Sequence, residues 1–307
     1  MIVRPRPHWF LMLFIWKGSV LKKLLPRLAI ILAISVFALL THRYLADPGL
    51  MDLSAQPFTL LGIALAIFLG FRTNVSHDRY WEARKLWGNA LNAARALARQ
   101  ALSLTVWRRD SPEARRFVLA LAAHTHALQH QLRGSDALPD LRRLLSAGDL
   151  ARVETARYQP IVILQLLGEQ LRAAREQGAL SDVLTTAMER NLDALGAVVG
   201  SCERIHGTPI PLTFSVMVHR TIYFYCSLLP FALIPSIGWY TPVFAVFVSY
   251  TFMALEAIAE ELEAPFGTDP NDLPLQAMCE MIEATLREML GDALPPLAAV
   301  PEDYIVL

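Results

Sequence analysis

Apolar residues along the chain fall into two pairs of runs separated by a long section without one. The first run is centred on Leu28–Leu40 and the second covers Phe58–Phe71; Thr221–Trp239 and Val243–Leu255 follow only after residues 72–219. A bilayer is spanned by roughly 20 apolar residues, so the pattern predicts four transmembrane helices in two hairpins. The middle section has helical periodicity instead, in ALNAARALARQALSLTVW, in EARRFVLALAAHTHALQHQL and, beyond a looser stretch from Gly134 to Gly148, in a helix that opens on Ser181-Asp182 and stops before the prolines of TPIP. The chain therefore reads as all-α. An amphipathic segment (1–27) precedes the first pair of spans (28–71), a cytosolic helical bundle (72–219), the second pair (220–255) and a C-terminal region (256–307).

The second run organises the rest. Ile63, Ile67 and Phe71 stand four residues apart, an interval of about 400° at 3.6 residues per turn, so they form one bulky stripe. Gly62, Ala66 and Gly70 form a small-residue stripe beside it, of the kind that lets membrane helices approach closely. The apolar part is 14 residues, or 19 if counted from Leu53 with Ser54 and Gln56 included. That is marginal for a lone span and better suited to an assembly. The arrangement fits a helix in a ring with its bulky side turned to a central axis; a core or lipid-facing stripe is the competing reading.

Composition agrees with membrane insertion: 307 residues, 54% hydrophobic and only 18% charged, with mean hydropathy +0.36. The zero net charge hides an asymmetry. Residues 256–307 hold 12 acidic side chains against one basic (Arg287), and the remainder holds 27 basic against 16 acidic, giving −11 and +11. An acidic tail on a basic body suits docking within or between subunits, a solvated tail being the alternative. Near the start, Arg4, Arg6, Lys17, Lys22, Lys23 and Arg27 interleave with Trp9, Phe10, Phe14 and Trp16, as in a segment lying at the cytoplasmic membrane surface. Neither hairpin turn, ADPGLMDLSAQP or the one at Trp239-Tyr240, contains Lys or Arg, whereas Arg72, Arg79, Arg84 and Lys85 follow the second run at once. The positive-inside bias then puts both termini in the cytoplasm.

Candidate chemistry is sparse. His126 and His130, four apart on a predicted helix that also carries His124, could share a metal, but no glutamate completes a metalloprotease pattern, and satisfied histidines are the favoured reading. Cys202 and His206 have the same spacing, although a nucleophile and its base usually come from separate elements. Cys202, Cys226 and Cys279 are too scattered for a disulfide framework or a zinc site. Asp269, Asn271 and Asp272 offer hard oxygen donors for calcium, against which stands a turn with two helix caps. Phosphate-binding loops and nucleophile elbows do not occur, and scattered basic residues give no support for nucleic-acid binding. The chain does not read as an enzyme.

FLGFRTN with the following DRYWEARKLWG, then ERIHGTPIPL, then PFGTDPNDLPL, together with Trp16–Ser19 near the start, resemble the bestrophin family, specifically its bacterial members. The matches occur in family order and cover nearly the whole chain. The resemblance implies a homopentameric ion channel in the bacterial inner membrane, each subunit having four transmembrane helices and a large cytosolic helical part. Its implied pore neck is Ile63, Ile67 and Phe71, and a cytosolic aperture falls at Val183. Chloride and similar anions are the implied permeant ions, the sign of selectivity being open, with lipid and further copies of the chain as partners. The family's calcium clasp matches Asp269 and Asp272, but the chain departs from it at Ala264, where the pattern has asparagine, and at Pro270 and Asn271, which interrupt the acidic run. No other cofactor is implied. A non-conducting membrane scaffold or transporter subunit is the rival function.

Overall fold

The computed structural model describes residues 8–12, 14–16, 18–44 and 53–294. Arg4, Arg6 and Lys17 of the basic N-terminal set, most of the first Lys- and Arg-free turn, and the tail from 295 onward lie outside the described residues. Among the described residues the regular structure is helical, without strands. Eleven α-helices are described: α1 (Trp9–Met12), α2 (Leu21–Tyr44), α3 (Ala55–Leu104), α4 (Pro112–Arg133), α5 (Leu138–Leu144), α6 (Ala147–Val153), α7 (Gln159–Glu176), α8 (Asp182–Gly207), α9 (Leu212–Ile237), α10 (Thr241–Glu263) and α11 (Leu275–Leu290).

These divide into two compact units. The first contains α1, α2, the part of α3 up to Tyr80, α9 and α10. Its core is built from Leu24, Leu28 and Ile31 of α2, Leu65 and Leu69 of α3, Ile222, Cys226 and Leu229 of α9, and Met253 of α10. The outer faces of the same helices are also apolar: Ile30, Phe37, Phe224, Val243 and Phe247 are each at least 60% exposed. A helix apolar on every side is buried in protein or in lipid. α2 and α3 each contain a stretch long and apolar enough to cross a membrane, as does the 52-residue segment Leu212–Glu263. That last segment is not one rod. Gly238, at φ +50°, ends α9, a 3₁₀ turn at Gly238–Tyr240 follows, and Pro242 opens α10. Pro230 and Pro235 lie inside α9 without dividing it.

The second unit contains α3 from Trp81 onward, α4 to α8 and α11. Trp87, Leu97, Phe117, Leu121, Leu128, Ile163, Leu167 and Leu286 are fully buried in it. The central helix is α4, packed by α5, α7, α8 and α11. It is capped at both ends: the Ser111 side chain accepts from Ala114 N, Pro112 opens the helix, and Gly134 closes it in the left-handed conformation. Ser181 caps α8 in the same manner, accepting from Leu184 N. The looser stretch 134–148 contains α5 and the start of α6, short helices begun by Pro139 and by the Ser146 cap.

Candidate functional site

The face that α3 turns into the first unit is sharply defined. Leu65, Leu69, Arg72 and Ser76 are buried along it, at 5% exposure or less. Ile63, Ile67 and Phe71 are 56%, 54% and 61% exposed. At 100° per residue the two stripes lie roughly 180° apart. The chain thus holds α3 by one side and presents three large apolar side chains on the other.

The flanks between these stripes differ from one another. On one, Ala66 and Gly70 are exposed, and a Cβ built on Gly70 would meet nothing within 4 Å in its own chain. On the other, Phe68 and Val75 are 43% and 50% exposed. Gly62, by contrast, packs inside its own chain: a Cβ there would stand 3.0 Å from the Tyr225 hydroxyl oxygen. Val183 lies in the first turn of α8 and is 78% exposed.

Arg72 is the feature the sequence reading missed. It is counted there as one of several flanking cations, yet its side chain is 5% exposed and faces two carboxylates of α10, Glu256 (3.8 Å) and Glu263 (3.6 Å). The signal was available in its phase, since position 72 falls in the same stripe as Leu65 and Leu69. His219 Nδ1 of α9 lies 2.7 Å from the same Glu256 oxygen.

Each histidine of α4 meets a protein group through at least one ring nitrogen, while His124 Nε2 and His126 Nδ1 are buried without a hydrogen-bond partner. His126 Nε2 is 2.9 Å from Glu283 Oε2, and His130 Nε2 is 3.1 Å from Asp140 Oδ2. Arg143 bridges Asp140 and Glu283, and Arg287 donates to Glu283 at 2.7 Å. Burial would raise the Glu283 carboxyl, but hydrogen bonds from His126, Arg143 and Arg287 outweigh it and hold the group well below the usual carboxylate range. No group of three or more His, Cys, Asp or Glu side chains among the described residues is arranged to hold a metal ion. At the calcium candidates, Asp272 Oδ2 accepts from Asp269 N at 2.7 Å, and Asp272 N donates to Asp269 O at 2.9 Å, a capped turn. Described members of the acidic region find cations within the same chain: Lys23 with Glu261, Arg115 with Asp292, and Arg143 with Glu283.

No catalytic pair emerges from Cys202 and His206. Burial above all, with Glu203 and Glu82 adding to it, pushes the Cys202 thiol up to about 12, which leaves it protonated and unreactive at neutral pH. A groove of about 480 Å³ between α3 and α8 is lined by Asn89, Asn92, Asn191, Ser201 and apolar residues, and contributes neither an acid nor a base.

His124 supports a prediction of its own. It is fully buried, and its Nδ1 lies 3.1 Å from the Pro160 carbonyl oxygen, which can only accept, so Nδ1 carries the proton. Burial pushes the imidazole down to about 4, the Pro160 bond opposing weakly. The unfolded chain then binds a proton near pH 6.5 that the folded chain refuses until about 4. Stability from this group is complete above pH 6.5 and is lost as pH falls from there toward 4. Between pH 7.5 and pH 5 the loss is about 2 kcal/mol. His124→Asn, which can keep the bond to Pro160, is expected to flatten that part of the stability–pH curve, read from denaturant midpoints at the two pH values.

With this geometry established, the family follows from comparison. The model of the family described as Bacterial/Fungal Bestrophin protein matches residues 1–288. The chain belongs to that family. It is 51% identical over 292 residues to the voltage-dependent anion channel-forming protein RSc3414 of Ralstonia nicotianae, covering 95% of both chains. To the voltage-dependent anion channel-forming protein YneE of Escherichia coli K12 it is 40% identical over 307 residues, covering 100% of both. A crystal structure of a single-site variant of the bacterial bestrophin homologue from Klebsiella pneumoniae superposes with TM-score 0.84 at 42% identity, covering 88% of this chain and 100% of that one. The bestrophin resemblance read from FLGFRTN, ERIHGTPIPL and PFGTDPNDLPL is thereby established, and with it the all-helical fold. This is a bestrophin-type membrane protein.

Proposed function

We propose that this bestrophin forms an ion channel, conducting anions such as chloride through a pore on the axis of a homopentameric ring. One observation carries the reading: α3 buries Leu65, Leu69, Arg72 and Ser76 in its own subunit and holds Ile63, Ile67 and Phe71 out on the opposite side. Five copies of that stripe would make three stacked apolar rings, a neck that excludes water when narrow and conducts when slightly dilated. The relatives from Ralstonia and Escherichia coli are named as anion channel-forming proteins, which supports the same sign here. The stripe carries no charge, so selectivity within the neck rests on the positive edge of the Phe71 ring when it is turned to the axis. Val183 forms the second, cytosolic constriction in this proposal.

The two flanks of α3 favour a ring over a face-to-face pair. A small flank (Ala66, Gly70) and a bulky one (Phe68, Val75) fit each other between successive copies related by rotation, the heterologous contact that closes into a cycle. The Lys and Arg distribution supports cytoplasmic termini and four spans across the bacterial inner membrane in this proposal.

The test is current through planar bilayers holding the purified protein under asymmetric chloride. The expected reversal potential lies toward the chloride equilibrium value. Ile67→Ala is expected to raise unitary conductance severalfold by widening the middle ring. A current indifferent to this substitution would place the neck elsewhere.

A further inference from the structure

If Ile63, Ile67 and Phe71 line the neck, something must fix the rotation of α3 about its own axis. A turn of about 50°, half the step between neighbouring residues, would leave Ile67 and Phe68 equally far from the axis. Leu65 and Leu69 anchor the helix through apolar contacts, which are non-directional and tolerate such a turn. Arg72 does not. It continues the buried stripe three residues beyond Leu69 and one beyond Phe71, and its guanidinium faces Glu256 and Glu263 at 3.8 Å and 3.6 Å. These glutamates are seven residues apart on α10, two turns along one face.

Both carboxylates are held in turn by other elements. Glu256 Oε1 is 2.7 Å from His219 Nδ1 on α9, Glu263 Oε1 accepts from Ile210 N at 3.1 Å, and the Glu263 carbonyl accepts from Arg79 Nε at 3.3 Å. The seam is drawn together by charge: Arg72 Nε, Ser76 Oγ and Glu256 Oε2 are buried there without a hydrogen-bond partner. A charge buried this deeply cannot leave its counter-charges without a large desolvation cost. We infer that Arg72, through Glu256 and Glu263, is a positioning residue for conduction, an electrostatic clamp that sets the rotation of α3 and so decides which side chains form the neck.

This inference rests on the neck reading, and a cysteine-accessibility experiment separates the two. The native cysteines Cys202, Cys226 and Cys279 are all buried, so background reaction with a charged, water-soluble methanethiosulfonate is low. Single cysteines are placed at Ile67 and at Phe68, and modification is followed as loss of current in bilayers. With Arg72 intact, Ile67→Cys is expected to react at least tenfold faster than Phe68→Cys. In an Arg72→Met/Glu256→Gln/Glu263→Gln background, which removes the clamp without stranding a charge, the Ile67→Cys rate is expected to fall about tenfold and the Phe68→Cys rate to rise. Arg72→Lys with both glutamates native keeps the charge and is expected to restore the native order, a rescue that loss of packing alone would not give. Glu263→Gln alone, which keeps the Arg72–Glu256 pair, supplies a milder version of the same comparison if the triple variant does not assemble, and is expected to narrow the tenfold difference. Unchanged reactivity in the clamp variants with native-sized currents would overturn the clamp. Absence of any current change at Ile67→Cys with Arg72 intact would instead overturn the neck.

Discussion

Replacing Glu283 with alanine is expected to lower the stability of the unit built on α4 by about 3–5 kcal/mol, the range found when one partner of a buried ionic cluster is removed. Glu283 sits on α11 at 7% exposure and accepts from three cations or potential cations on three helices: His126 of α4, Arg143 of α5 and Arg287 of α11 itself. Its removal leaves His126, 2% exposed, without that partner, and leaves Arg143 and Arg287 facing a space from which their counter-charge has gone. The arginines can recover part of the loss because their side chains are 45% and 25% exposed; His126 cannot. The converse substitution Arg143→Ala is therefore expected to cost less, about 1 kcal/mol, as for a pair with water on one side.

The pH dependence of this effect has a definite sign. The Glu283 carboxyl is held low by its three donors despite burial, which acts against them. Its contribution is complete above the unfolded carboxylate value of about 4.3 and is lost only as pH falls below that toward the depressed folded value. The Glu283→Ala deficit should thus be full at pH 7, undiminished at pH 5.5, and shrinking only in strong acid. Thermal midpoints of the detergent-solubilised protein, with amide exchange across Leu275–Leu290, would measure it. Native protection of α11 in the alanine variant would show that apolar burial of Ile282 and Leu286 suffices to hold the helix.

Much of this molecule could be read in the chain, for reasons that differ from place to place. Ile63, Ile67 and Phe71 were legible because a fixed interval places residues on one helical face whatever surrounds them. The start of α8 was legible because the Ser181-Asp182 cap acts locally. The uninterrupted length of α3 was not: Gly88 and the change from apolar to charged residues near Arg72 suggest a boundary, yet a single glycine costs a helix only about 1 kcal/mol, which packing around Trp87 exceeds. The early start of α9 at Leu212, ahead of the predicted Thr221, was hidden because Val218 and Ile222 face the core while His219 and Arg220 interrupt the apolar run. Least legible were the ionic clusters. Arg72 meets Glu256 across 184 residues of chain and His126 meets Glu283 across 157, separations that no local pattern encodes.

The small-residue flank of α3 separates ring assembly from simple lipid exposure because the two readings predict opposite signs. Glycine within a helix is less favourable than a residue with a side chain by up to about 1 kcal/mol. If Gly70 faced lipid, Gly70→Leu would therefore stabilise the subunit slightly and leave its assembly unchanged, since its own chain leaves the Cβ position open. If Gly70 instead receives Phe68 and Val75 of the next copy, a leucine there places four carbon atoms where that copy must pack, and the ring is expected not to close. Gly70→Leu is then expected to run as dissociated subunits of native helix content by native mass spectrometry and circular dichroism, without current in bilayers. Gly62→Ala is the internal comparison: its new methyl would press on the Tyr225 hydroxyl of the same subunit at 3.0 Å. Its effect should therefore appear in subunit stability with the oligomer intact. A Gly70→Leu protein that remains one large assembly and conducts normally would put that flank in lipid, and would turn Ile63, Ile67 and Phe71, which share its side of the helix, away from any axis as well.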